Sequence, residues 1–126
     1  MKRRVWVTRR AEAELFEIAA WIALDSPIQA ARWLGGMHAA IGRLTHFPDR
    51  GPRAPEGERD PRRDVRQLLV GDYRALFTIR DGTVQVLLVR HASRGPASRE
   101  ELDRARSEEE PPPRNPAVSP QPALAA

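Results

Sequence analysis

The side chains best suited to chemistry fall in one stretch, Asp64 to Arg94, which reads DVRQLLV-GD-YRALFTIR-DG-TVQVLLVRHASR. Arg66, Arg74, His91 and Arg94 sit there among apolar residues, near the ends of three apolar runs. An arginine fork pairs with phosphate or carboxylate through parallel hydrogen bonds. Histidine is the side chain whose ordinary pKa lets it move protons near neutrality. The bland alternative is that the arginines face solvent or pair with acidic groups, and that a lone histidine at a strand end is structural. His38 and His46 lie elsewhere, with no carboxylate at ligand spacing, and the chain has no cysteine. A thiolate zinc site and a disulfide framework are therefore excluded, and no metal or other cofactor is expected.

Those residues must be positioned by the elements around them. Gly71-Asp72 and Asp81-Gly82 separate the three apolar runs, and Asp-Gly between alternating runs is a strong hairpin signal. The runs predict an antiparallel three-strand meander. Tyr73, Ala75, Phe77 and Ile79 share one face of the middle strand, and Val84, Val86 and Leu88 share one face of the last. The last strand is apolar on both faces, as in a covered sheet.

Ahead of the meander, residues 3–7 predict a short strand, with Thr8 as the cap of a helix over 9–24. Ala11, Leu15, Ile18 and Ile22 form its apolar stripe, and Glu12, Glu14 and Glu17 favour its dipole. Ser26-Pro27 with Gln29 is a capping box with proline at the first helical position, and predicts a second helix to about Thr45. Gly35-Gly36 inside it suggests either a close backbone contact or a tolerated weak spot. The two helices form an antiparallel hairpin, and laid on the meander they give a two-layer α+β fold of order β-α-α-β-β-β. Trp21 and Trp33 are expected to cover the core or an oligomer contact, and Trp6 to pack in the core.

Residues 49–63 read as a long loop rich in Arg, Pro and acid, a length that suggests function. Ser98 with Glu101 caps a weak helix candidate ending at Arg106, marginal without something to pack on. The segment from Ser107 on is Pro-rich and aperiodic, and is expected to be disordered. The expected organisation is a domain over 1–96, a marginal helix over 97–106 and a tail over 107–126.

Charge separates these parts. Residues 1–95 hold 17 Lys/Arg against 11 Asp/Glu, and residues 96–126 hold 4 against 6, so the cationic surface belongs to the folded domain. The longest uncharged apolar run, Ile18 to Leu24, has seven residues, far short of the roughly 20 that span a bilayer. Lys2-Arg3-Arg4 is not followed by an apolar core, so no secretion signal is read. A cytoplasmic protein with no membrane partner is expected, in agreement with the lack of cysteine.

The order and spacing of Phe47-Pro48-Asp49-Arg50-Gly51, Val65-Arg66-Gln67-Leu68, Gly71 to Phe77 and Val84 to Arg94, behind a strand and two helices, resembles the RelE/ParE superfamily of bacterial type II toxins. The resemblance covers about residues 3–94. It implies a growth-inhibiting toxin, as in plasmid stabilisation modules, held in a hetero-oligomer with a cognate antitoxin whose extended segment wraps it. RelE-like members cleave mRNA in the ribosomal A site, and ParE-like members inhibit DNA gyrase.

Metal-free RNA cleavage needs a proton acceptor, a stabiliser of the phosphorane charge and a proton donor. By the resemblance Arg66 would hold the scissile phosphate, His91 would move a proton and Arg94 would add a phosphate contact. Arg62, Arg63 and Arg74 would contact nucleic acid, with Glu56 or Glu58 as a base. The family's lysine-rich loop and C-terminal tyrosine are absent, since Lys2 and Tyr73 are the only residues of their types. The expectation favours ribosome-associated mRNA cleavage. Gyrase inhibition without nuclease activity is the alternative, and a non-catalytic antitoxin-binding or autoregulatory module is a further one.

Overall fold

The computed structural model describes residues 3–46, 52–59 and 64–107. In chain order they form β1 (Arg4–Val7), α1 (Arg9–Ala23), α2 (Pro27–Gly42) continuing into a 3₁₀ turn at Arg43–Thr45, α3 (Pro55–Arg59), β2 (Arg66–Val70), β3 (Tyr73–Arg80), β4 (Thr83–His91) and α4 (Arg99–Ser107). Each long helix starts at a hydroxyl side chain. Thr8 Oγ1 accepts from Ala11 N, Ser26 Oγ from Gln29 N and Ser98 Oγ from Glu101 N, all at 3.1 Å. Glu101 returns the bond to Ser98 N, closing a reciprocal capping box.

The sheet order is β1-β4-β3-β2. β2, β3 and β4 form the expected antiparallel meander, and β1 adds to β4 in parallel. A parallel neighbour requires a crossover, and the α1–α2 hairpin supplies it. Asp81 and Gly82 both have positive φ, the type I′ requirement, while at the other turn Gly71 does.

β4 departs from simple alternation. Leu76 faces Leu88, but the next residue, Phe77, faces Val86, so Leu87 is an inserted bulge residue. Leu87 and Leu88 consequently lie in the same buried cluster, and Val89 joins Val84 and Val86 in the other. The expected grouping of Val84, Val86 and Leu88 is corrected accordingly. A continuous apolar run carries no periodic mark of a bulge.

One core lies between the sheet and the helical hairpin. It holds Val7, Ala11, Leu15, Met37, Ile41, Ala75, Phe77, Val84, Val86 and Val89. The other face of the sheet is also covered. Ala54, Val65, Leu76, Leu87, Leu88, Ala97, Leu102 and Ala105 form a second cluster beneath α3 and α4. The two-layer expectation thus gains a third layer, and α4 packs on this chain's own sheet. Two further expectations change. Gly35 and Gly36 are exposed with open space around each Cβ position, so no close contact explains them. The 49–63 loop contains α3, where Glu56 is buried.

Candidate functional site

β4 outruns β1 by five residues, and α1 lies over the excess. The space between them is a cleft of about 390 Å³, lined by Glu14, Glu17, Ile18 and Trp21 of α1, Tyr73 of β3, and Val89, Arg90, His91 and Arg94. Because the bulge inverts the parity of the strand, His91 projects toward α1. In an unbroken alternation it would share the α4 face with Gln85. Arg94 N donates to His91 O at 3.0 Å, so the two residues are the ends of a β-turn, with Cα atoms under about 7 Å apart. The H-x-x-R spacing therefore places an imidazole and a guanidinium side by side at the cleft mouth. Ala92 N donates to Asp72 O at 2.7 Å and ties this turn to the β2–β3 turn.

Aromatic edges hold His91 from below. Trp33, Tyr73 and His91 form a row with 5.0 Å between successive ring centroids and interplanar angles of 65° and 75°. Ser93 N donates to His91 Nδ1 at 3.0 Å, with Ser93 Oγ at 2.7 Å from the same nitrogen. An Nδ1 that accepts a hydrogen bond carries no proton, so the neutral ring bears its proton on Nε2. His91 thus offers the cleft a donor. Trp21, 70% exposed, forms the opposite rim one turn beyond Glu17, and both are residues whose place at the site the sequence did not reveal.

Glu14 is the other residue missed. Its carboxylate lies under the β4 extension, where Oε1 accepts from Val89 N at 2.8 Å, and Arg10 Nε is 3.6 Å from Oε2. Burial is the largest influence on this carboxyl and raises its pKa above the ordinary value. The Val89 N–H and the charges of Arg10, Arg90 and Arg94 pull it down without cancelling the rise. In the sequence Glu14 read only as one of three acids near a helix start. Its spacing from Ala11 and Ile18, on the border of the apolar stripe, is the signal that points it at the sheet.

The structure brings His91 and Arg94 together and leaves the other expected site residues apart. Arg66 faces Phe77, whereas His91 faces Tyr73, four residues away on β3. That is roughly 13 Å along the strand and about 10 Å across two strand spacings. Arg66 Nε instead lies 3.4 Å from Asp64 Oδ1. Arg74 corrects the expectation of a nucleic-acid contact. It is 5% exposed, and its fork donates to both carboxylate oxygens of Glu56 at 3.0 and 2.8 Å. Glu56 also accepts from Ala97 N at 2.7 Å. Burial drives the Glu56 pKa up, but the Arg74 and Ala97 bonds outweigh it and the net shift is downward. A carboxylate so engaged is not a free base. Arg90 points to the α4 face, where it donates to Gly95 O and Glu101 Oε2. Arg62, Arg63 and the side chain of Glu58 lie outside the described residues.

Among the described residues no group of three or more His, Cys, Asp or Glu could hold a metal ion, and no helix is long and apolar enough to cross a membrane.

Known proteins are similar to this chain. Toxin RelE2 of Caulobacter vibrioides is 32% identical over 94 residues, which is 75% of this chain and 99% of the relative. A solved structure of the chromosomal ParDE toxin–antitoxin system from P. aeruginosa aligns with a TM-score of 0.57 at 20% identity, over 71% of this chain and 96% of that one, and so shares the fold. The toxin–antitoxin complex RelBE2 from Mycobacterium tuberculosis aligns more loosely, with a TM-score of 0.47 at 26% identity over 72% of this chain and 92% of that one. The family model for the ParE toxin of the type II toxin–antitoxin system parDE matches residues 5–96, the whole unit from β1 through the β4 turn. The chain belongs to the ParE toxin family of the RelE/ParE superfamily.

Proposed function

We propose that this chain is a growth-inhibiting toxin that acts by binding its target, DNA gyrase, and that the α1–β4 cleft is its working face. The observation that carries this reading is the dispersal of the nuclease set among the described residues. Metal-free cleavage needs an acceptor, a charge stabiliser and a donor converging on one phosphodiester. Here Arg66 stands across the sheet from His91, and Arg74 and Glu56 are spent on each other. What converges at the cleft is recognition chemistry. A donor imidazole, an arginine fork and an exposed tryptophan over an apolar floor of Ile18 and Val89 suit a protein surface. The parDE family match and the ParE-like branch's action on gyrase agree with this reading.

The partner that restrains the toxin is an antitoxin protein, in line with the parDE family match and with the ParDE toxin–antitoxin system among the structural neighbours. Ribosome-associated mRNA cleavage is the competing activity, favoured by the RelE2 name of the 32% identical relative and by the pairing of His91 with Arg94.

Induced expression in growing bacteria separates these activities. Growth arrest with accumulating gyrase-linked DNA breaks, and mRNA free of new codon-phased ends in primer extension, is the expected result. Codon-phased cleavage without DNA breaks would overturn the proposal. A harmless wild-type chain would overturn both toxin activities in favour of a non-catalytic module.

A further inference from the structure

Among the described residues, no strand lies beside the outer edge of β4 beyond Val86, because β1 stops at Val7. The Thr8 cap and the second turn of α1 take over that edge with three hydrogen bonds. Thr8 N donates to Val86 O at 3.1 Å, Thr8 Oγ1 donates to Leu87 O at 3.1 Å, and Glu14 accepts from Val89 N at 2.8 Å. These bonds bracket the bulge. Val86 and Leu87 turn consecutive carbonyls toward α1, which an unbroken strand does not do, and the next N–H on that edge is Val89.

Two residues beyond Val89 stands His91, and three beyond that the Arg94 of its turn. We infer that Glu14 is a positioning residue: by holding the Val89 N–H across the bulge, its carboxylate fixes the parity of the strand end and so aims His91 and Arg94 into the cleft.

The chemistry of Glu14 supports this. A carboxylate placed only to accept one backbone bond is an expensive choice in a buried setting, since burial opposes its charge. Its advantage is a strong, charge-assisted bond to a backbone that would otherwise be free to slip by one residue. Slippage would carry His91 to the α4 face. The carboxylate is also braced from its own helix by Arg10, which at the same time reaches Glu101 of α4 at 2.9 Å. Glu14 is thus held between two layers while it holds the strand.

The value of this position to function rests on the cleft being the working face, so the test reads the two separately. Glu14→Gln retains an acceptor oxygen, and Glu14→Ala does not. Nitrogen-15 spectra of the imidazole and amide hydrogen exchange are recorded on both full chains. Glu14→Ala is expected to speed Val89 exchange at least tenfold and to shift the His91 ring resonances, while Glu14→Gln, which keeps a neutral acceptor, changes both by less. Thr8→Ser, which keeps the hydroxyl, serves as a folded control.

If Glu14→Ala leaves Val89 exchange and the His91 ring unchanged, the positioning role is refuted. The same holds if Gln and Ala lower stability alike with no change at His91. If the His91 ring moves in Glu14→Ala yet toxicity is undiminished, positioning stands and the cleft is not the working face. Should Glu14→Ala fail to fold, Glu14→Leu and the Gln variant carry the comparison. A Gln variant with fast Val89 exchange would then refute the role.

Discussion

Glu56 and Arg74 form an ion pair whose removal separates a structural role from a catalytic one. Their side chains are 0% and 6% exposed, and two short hydrogen bonds join them. Glu56→Ala leaves a guanidinium in the second core without its counter-charge and leaves Ala97 N–H without an acceptor. Breaking a buried pair from one side costs ~3–5 kcal/mol. That is about a fifth or more of the ~5–15 kcal/mol that holds a domain folded. With a urea slope of about 1–3 kcal/mol/M, the unfolding midpoint falls by roughly 2 M.

Replacing both partners with leucine removes the charges together, which for buried pairs is often neutral or stabilising. Glu56→Leu/Arg74→Leu should therefore recover most of the loss. Urea titrations at pH 7 followed by circular dichroism on wild type, Glu56→Leu, Arg74→Leu and the double variant give all four corners of the cycle. A single variant within about 0.5 kcal/mol of wild type would refute the pair's role, because that is the scatter of ordinary surface changes. So would a double variant as unstable as either single. Toxicity supplies the second readout. The stable double variant should still arrest growth, and a folded but harmless one would mean that Glu56 or Arg74 acts on the target.

Other expectations follow from the same geometry. Glu56 and Glu101 are both held below the ordinary carboxyl pKa, so their stabilisation is complete above pH 4.5 and is lost as pH falls through their lowered values. Burial lowers the His38 pKa, so its neutral form stabilises the fold above pH 6.5, and stability declines as pH falls below that. His38→Gln should flatten this higher-pH limb in a pH series of melting curves while leaving the acid limb intact. Leu102, 2% exposed, anchors α4 on the second core, and Leu102→Ala should cost about 2–5 kcal/mol in denaturant unfolding. Truncation after residue 107 should leave the melting temperature unchanged, whereas truncation after Pro96 should lower it sharply by uncovering Leu76, Leu87 and Leu88.

Local chemistry was legible in the sequence, and long-range chemistry was not. Thr8, Ser26 and Ser98 could be read as caps because a hydroxyl at the start of an apolar stripe satisfies amides three residues away. The meander could be read because Asp81-Gly82 and Gly71 have few other uses. The fate of the arginines could not. Arg74 read as a nucleic-acid contact or a solvent-facing cation, and what it pairs with is Glu56, 18 positions away; Arg90 pairs in the same way with Glu101, 11 positions away. The bulge was hidden because Val86-Leu87-Leu88-Val89 is apolar whichever way each residue points. Its consequence is large, since it decides the face on which His91 emerges. Glu14 was hidden for the same reason, its partner being a backbone amide 75 positions away.

The most direct measurement is a supercoiling assay with purified gyrase and the purified wild-type chain, His91→Ala and Arg94→Ala. Both changed side chains are exposed, so the variants should fold as the wild type does. Inhibition by the wild-type chain that weakens at least tenfold in each variant is the predicted result. Full supercoiling activity in the presence of the wild-type chain, or equal inhibition by all three proteins, would contradict it.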